Sequence, residues 1–125
     1  RGLHYQESSN AQGKLVSCTQ GVVYDVIVDL RQKSSSFGKW FSIILDRPET
    51  QLWVPKGLAH GFYTISDTSI FQYKVTSYYN PISERVLIWN DVELGIDWPN
   101  NKNPVISNRD YELGQKFSEC EKFIS

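Results

Sequence analysis

Apolar and polar residues alternate along much of this chain, and that period predicts short strands rather than helices. In "VVYDVIVDLR" (22–31), Val22, Tyr24, Val26, Val28 and Leu30 fall on one face of an extended segment, with Val23, Asp25, Ile27 and Asp29 on the other. "KLVSCTQ" (14–20) precedes it across Gly21, which predicts strand, turn and strand. "KWFSIILD" (39–46), "QLWVP" (51–55), "HGFYTIS" (60–66), "SIFQYKVTSYY" (69–79) and "RVLIWND" (85–91) continue the series, and "PVIS" (104–107) is a further short candidate. Each is rich in β-branched or aromatic residues and bounded by Gly, Pro, Asp or Ser. No helical stretch long enough for a crossover lies between them. That excludes a doubly wound parallel sheet and leaves an all-β sandwich or barrel. The one helical pattern comes last: after "SNRD", Leu113, Phe117, Cys120 and Ile124 recur at steps of four, three and four. This predicts a short C-terminal amphipathic helix, weakened by Gly114 by about 1 kcal/mol relative to alanine.

Composition narrows the functional classes. A chain of 125 residues reads as one domain, 1–125, able to bury roughly two-thirds of its unfolded surface. Thirteen Lys and Arg against fourteen Asp and Glu leave no electrostatic footprint for nucleic acid or an anionic membrane. A small anionic ligand held by a few local cations stays open. The apolar runs are about five residues long, as in "FSIIL", too short to span a bilayer. Cys18 and Cys120 show no CxxC or CxxH spacing and read as free, reduced thiols of a cytoplasmic protein. Methionine is absent and the chain opens inside "RGLH", so a preceding N-terminal segment is expected to be missing from this sequence.

Only two histidines are present, His4 and His60. Histidines in a small β-barrel invite a metal site, but two closely spaced His followed by Glu are missing, and two distant His with two distant Cys make a poor ligand set. Acid–base chemistry remains. His4 is the natural base, because an imidazole titrates near pH 6.5. Asp25, Asp29, Asp67 and Asp110 are all candidates for the carboxylate that would orient it. Lys14 is placed to stabilise an enolate oxygen, and Tyr73 to give a proton from the opposite side. Each has a plainer reading: Lys14 as a surface charge, Tyr73 as core, His4 as a satisfied histidine. Asp25 and Asp29 on one strand face suggest acid–base work less strongly than a solvated or salt-bridged sheet face.

Taken in order, "RGLHYQ", "QGKLVSCTQGVVYDVIVDLR", "SSSFGKW", "QLWVPKGLAHGF", "YKVTSYYNP", "SERVLIWND" and "LGIDWP" closely resemble the dTDP-4-dehydrorhamnose 3,5-epimerase family, from Arg1 to about Asp110. The resemblance implies a cupin-like jelly roll working without metal or cofactor. The implied reaction is epimerisation of dTDP-4-keto-6-deoxy-glucose at C3 and C5, in dTDP-L-rhamnose biosynthesis. It implies His4 as the base, Asp110 of "SNRD" as its partner, Lys14 of "QGKL" at the enolate and Tyr73 of "YKVTSYY" as the acid. Arg1 and Arg109 are the implied phosphate contacts, and Tyr79 stacks on thymine. His60 lies in or near the pocket, touching substrate or only shaping its wall. The family expectation is a homodimer, with an N-terminal segment ahead of "RGLH" that supplies strands and nucleotide contacts. Three alternatives stand beside this: an epimerase acting at C3 or C5 alone, a sugar 3,4-ketoisomerase, which lacks the "RGLHYQ" and "QGKL" pair, and a non-catalytic carbohydrate-binding jelly roll.

Overall fold

A computed structural model describes residues 1–99 and 104–124. Its strands are β1 (His4–Gln6), β2 (Lys14–Gln20), β3 (Val23–Asp29), β4 (Trp40–Leu45), β5 (Gln51–Val54), β6 (Leu58–Thr64), β7 (Ile70–Val75), β8 (Glu84–Leu87) and β9 (Gly114–Gln115). One short helix, α1 (Asn108–Leu113), precedes β9. The strands form a six-stranded sheet ordered β4-β3-β6-β1-β8-β9 and a three-stranded sheet ordered β5-β2-β7. Neighbours pair antiparallel except β8 and β9, which run parallel. The result is an open, two-layered, cupin-like jelly roll, with no closed barrel.

Two apolar clusters hold the layers. Val16 and Cys18 of the small sheet meet Val23 and Leu45 of the large one, with Leu52, Phe62 and Phe71 packed around them. On the outer face of the large sheet, Leu3, Tyr5, Val26, Val28, Ala59 and Leu87 are covered by Leu94, Trp98, Phe117, Cys120 and Phe123. The large sheet is therefore buried on both faces around β3 and β6, while its edge strand β4 stays largely exposed. That is why β3 is buried almost throughout and not on one side only. It also decides the reading of the two strand carboxylates: Asp25 and Asp29 are both fully buried and paired, not solvated. Asp29 accepts from Nε and Nη2 of Arg31, both at 3.0 Å, and from the Ser36 hydroxyl. Burial alone would raise its pKa, but these bonds hold the carboxyl well below the usual range.

The strands expected from alternation are present, most of them trimmed at the ends. Residues 104–107 form no strand, and β1, too short for a periodic signal, was not anticipated. The C-terminal helix is displaced. It spans Asn108–Leu113, begins at Ser107, whose Oγ accepts from Asp110 N at 3.1 Å, and ends at Gly114. Beyond it the chain is extended beside β8 and then turns. Phe117 and Cys120 are buried as expected, whereas Leu113 and Ile124 are exposed. The period-four spacing is thus not one helical face. Asp91 fixes this turn by accepting from Phe117 N at 2.8 Å, while its other oxygen accepts from Leu94 N at 3.0 Å. Cys18 and Cys120 are separate buried thiols. Among the described residues no helix is long and apolar enough to cross a membrane.

Candidate active site

The sheets part at one end to leave a cleft of about 730 Å³. The register dictates what faces into it. His4 is opposite Val86 and His60 in the large sheet, and Gln6 is opposite Glu84. In the small sheet Lys14 is opposite Val75, and Val16 opposite Tyr73. Directly opposed residues share a face. One layer therefore offers His4, Gln6 and Glu84, and the other offers Lys14, Tyr73 and Val75. Tyr79, Arg109, Asp110 and Arg1 complete much of the lining.

"RGLH" has its glycine for a steric reason. Gly2 has φ +111°, and a Cβ there would lie 2.6 Å from the carbonyl oxygen of His60. This close approach lets Gly2 N donate to Asp110 Oδ2 at 3.0 Å, while Asp110 Oδ1 lies 2.5 Å from His4 Nε2. Both carboxylate oxygens are thus engaged. Burial tends to raise the Asp110 pKa, but the bonds from Gly2 and His4 bring it below the ordinary carboxylate value. Burial is also the largest influence on His4, lowering its pKa below 6.5 against the opposing pull of Asp110. At neutral pH the pair is a neutral imidazole and a carboxylate. An ionised carboxylate only accepts, so Nε2 carries the ring proton and Nδ1 is the free base.

Lys14 is only 8% exposed. Burial lowers its pKa to about 8, with Glu84 the strongest influence in the other direction. Its Nζ lies 6.0 Å from the Tyr73 ring centroid. At the mouth, Arg109 donates to Glu84 Oε1 through Nε (2.8 Å) and to the Tyr79 hydroxyl through Nη2 (3.1 Å).

Of the eight residues to which the family resemblance gives a place at the site, seven line one cleft: Arg1, His4, Lys14, Tyr73, Tyr79, Arg109 and Asp110. His60 does not line it. It shares the His4 face of the large sheet but is buried between the two sheets, with Nε2 2.7 Å from Asp25 Oδ1 and its ring stacked on Phe71 of the small sheet at 5.8 Å. Gln6, Gln12 and Glu84 also line the cleft and were not singled out. Gln6 and Glu84 carry a signal only once β1 and β8 are known to pair. A second cavity, about 470 Å³, shares Arg1 and Val105 with the cleft. It is walled by Trp89, Trp98 and Tyr63 and includes Asp67 but neither His4, Lys14 nor Tyr73, so Asp67 is not the partner of His4 and the larger cleft is the reaction site to consider. Among the described residues no three His, Cys, Asp or Glu side chains gather closely enough to hold a metal ion.

The sequence model of the dTDP-4-dehydrorhamnose 3,5-epimerase family matches residues 1–118. The chain belongs to this family. It is 50% identical over 114 residues to the dTDP-4-dehydrorhamnose 3,5-epimerase of Escherichia coli K12, a match covering 90% of this chain and 62% of that relative. It therefore spans about three-fifths of that relative's length. A 3,5-epimerase from Legionella pneumophila, crystallised with dTDP-4-keto-L-rhamnose, superposes with a TM-score of 0.91 at 42% identity, covering 100% of this chain and 68% of that one. A 3'-monoepimerase from Streptomyces bikiniensis, crystallised with dTDP-quinovose, gives a TM-score of 0.85 at 33% identity, over 94% of this chain and 60% of that one.

Proposed function

We propose that this chain carries the catalytic centre of a cofactor-independent sugar-nucleotide epimerase that inverts C3 and C5 of dTDP-4-keto-6-deoxy-glucose, giving dTDP-4-keto-L-rhamnose. The observation that carries this reading is the placing of base and acid on opposite walls: the His4–Asp110 pair on the large-sheet side, Tyr73 on the small sheet. The C4 ketone acidifies the hydrogens on both neighbouring carbons. His4 Nδ1 takes a proton from C3 or C5, and the electron pair moves into the ring to give an enolate with its charge on O4. Lys14 stabilises that oxygen. Tyr73 returns a proton from the other face, which inverts the centre, and Asp110 stabilises the imidazolium formed on the way. Arg1 and Arg109 take the diphosphate through charge-assisted hydrogen bonds, and Tyr79 stacks on thymine. The relative crystallised with dTDP-4-keto-L-rhamnose supports this choice of ligand.

The same reading includes a cytoplasmic homodimer. Exposed apolar residues along the strands, among them Ile44, Trp53 and Ile70, support the dimer. Light scattering that gives the monomer mass at micromolar concentration would overturn that part.

The test is deuterium uptake in D₂O with dTDP-4-keto-6-deoxy-glucose, followed by NMR. Label at both C3 and C5, lost by about 10²–10⁴-fold in His4→Ala, is the expected result. Label at one position alone would make the chain a mono-epimerase like the Streptomyces relative. Binding of dTDP without label would make it a binding module.

A further inference from the structure

Among the described residues Glu84 is the one carboxylate in the cleft besides Asp110, and the mechanism above gives it no task. Its side chain is only 12% exposed, although it stands beside the cleft mouth. Its Oε1 accepts from Arg109 Nε at 2.8 Å and from the Tyr79 hydroxyl at 3.5 Å, and lies 2.6 Å from Arg109 Nη2 in the same ion pair. Arg109 Nη2 closes the ring by donating to the Tyr79 oxygen. Three residues from β8, α1 and the segment after β7 thus form one cluster with Glu84 at its centre. Arg109 directly precedes Asp110 on α1, so the cluster also ties the helix that carries the dyad carboxylate to β8.

We propose that Glu84 is a positioning residue for the epimerisation, the fixed anion that holds Arg109 and Tyr79 at the cleft mouth and balances the ammonium of Lys14 inside it. The inference rests on the epimerase reading for its purpose but not for its physics. Asp25 on β3 acts on Lys14 in the same direction, and Asp110 on α1 lines the same cleft, where it is paired with His4. Arg1 opposes them from the start of the chain, and Tyr73 faces Lys14 from β7. Among these Glu84 is the strongest influence keeping Lys14 protonated against its burial, and it acts on His4 in the same direction. A glutamate here therefore serves both roles assigned to the cleft. It orders the groups offered to nucleotide and keeps the enolate-stabilising lysine cationic near neutral pH.

Glu84→Gln separates charge from shape, since the amide oxygen still accepts from Arg109. The first measurement is the side-chain NMR titration of Lys14 in the unliganded chain, before and after the substitution. A midpoint near 8 that moves to lower pH is expected; an unmoved or raised midpoint overturns the proposal. The second is solvent exchange of the Arg109 Nε proton, which should be slow in the wild type and faster in Glu84→Ala. Equal rates overturn the positioning role. Neither reads turnover, so a chain that takes up no deuterium would fail the epimerase reading while leaving both results to stand on their own. If the chain is active, the basic limb of its pH–rate profile should move to lower pH in Glu84→Gln, and an unmoved limb counts against the proposal.

Discussion

The smallest scale at which this molecule is organised is the pair formed by His4 and Asp110. Because burial lowers the His4 pKa below 6.5, the proposed base stays available under mildly acidic conditions. Activity should fall only as pH drops below that lowered value, and should fall again near pH 8 as Lys14 loses its proton. Asp110 pulls the other way on His4, favouring the imidazolium. Asp110→Asn should therefore move the acid limb to still lower pH, slow turnover and leave dTDP affinity near the wild-type value by calorimetry. An acid limb that stays in place would mean that Asp110 does not act on His4. Lys14 shows the cost of such a site. Its folded-state pKa of about 8 lies below its ordinary 10.5. The stability linked to this group is thus full above pH 10.5 and lost as pH falls through 8. At pH 7 a buried ammonium is a burden. Lys14→Met should unfold at higher temperature, a gain of roughly 1–3 kcal/mol, while deuterium uptake falls by about 10²–10³-fold. An unchanged or lower Tm would show that the lysine is better solvated than its 8% exposure indicates.

Strands and turns place these groups, and here the sequence was informative for strands and misleading for the tail. The β2 and β3 patterns marked real strands because burial in a sheet imposes a period of two. The tail spaced Leu113, Phe117, Cys120 and Ile124 like a helix, yet burial there is imposed by an Asp91-anchored turn laid over the large sheet. Residues that fill a core from an irregular segment can fall at helical intervals by coincidence. β1 gave no signal because three residues carry no measurable period, although it bears His4, the proposed base. The same segment supplies a sharp test. Gly2→Ala forces a side chain into a positive-φ position against the His60 carbonyl. It should cost about 2 kcal/mol or more in chemical denaturation and break the Gly2–Asp110 bond. A variant of normal stability would show that β1 can shift without penalty.

At the scale of the whole molecule, the layered all-β architecture followed from many short strands without a crossover helix. Which carboxylate meets His4 did not. Asp110 lies more than a hundred residues along the chain from His4, and periodicity carries no information about such a separation; only the resemblance of "SNRD" to a family motif singled it out. Glu84 remained hidden for the same reason, since its partners come from α1 and from the segment after β7. His60 and Asp25 illustrate the converse. Both are polar residues on strands, as candidates for chemistry would be, but the packing of two layers turned them into a buried pair.

Because His4 belongs to one layer and Tyr73 to the other, the proposed epimerisation makes the separation of the layers a caliper on the sugar ring. Opposed sheets sit roughly 10 Å apart, and a flat enolate between them is reached from above by one and from below by the other. Loosen the grip, and a proton taken by His4 has time to return to the face it left. The carbon then exchanges its hydrogen for solvent without changing hand. The side chains that set the gauge are Val16, Cys18, Val23 and Leu45, distant in purpose from any acid or base. On this proposal, stereochemical fidelity becomes a property of the hydrophobic interior as much as of the polar cleft.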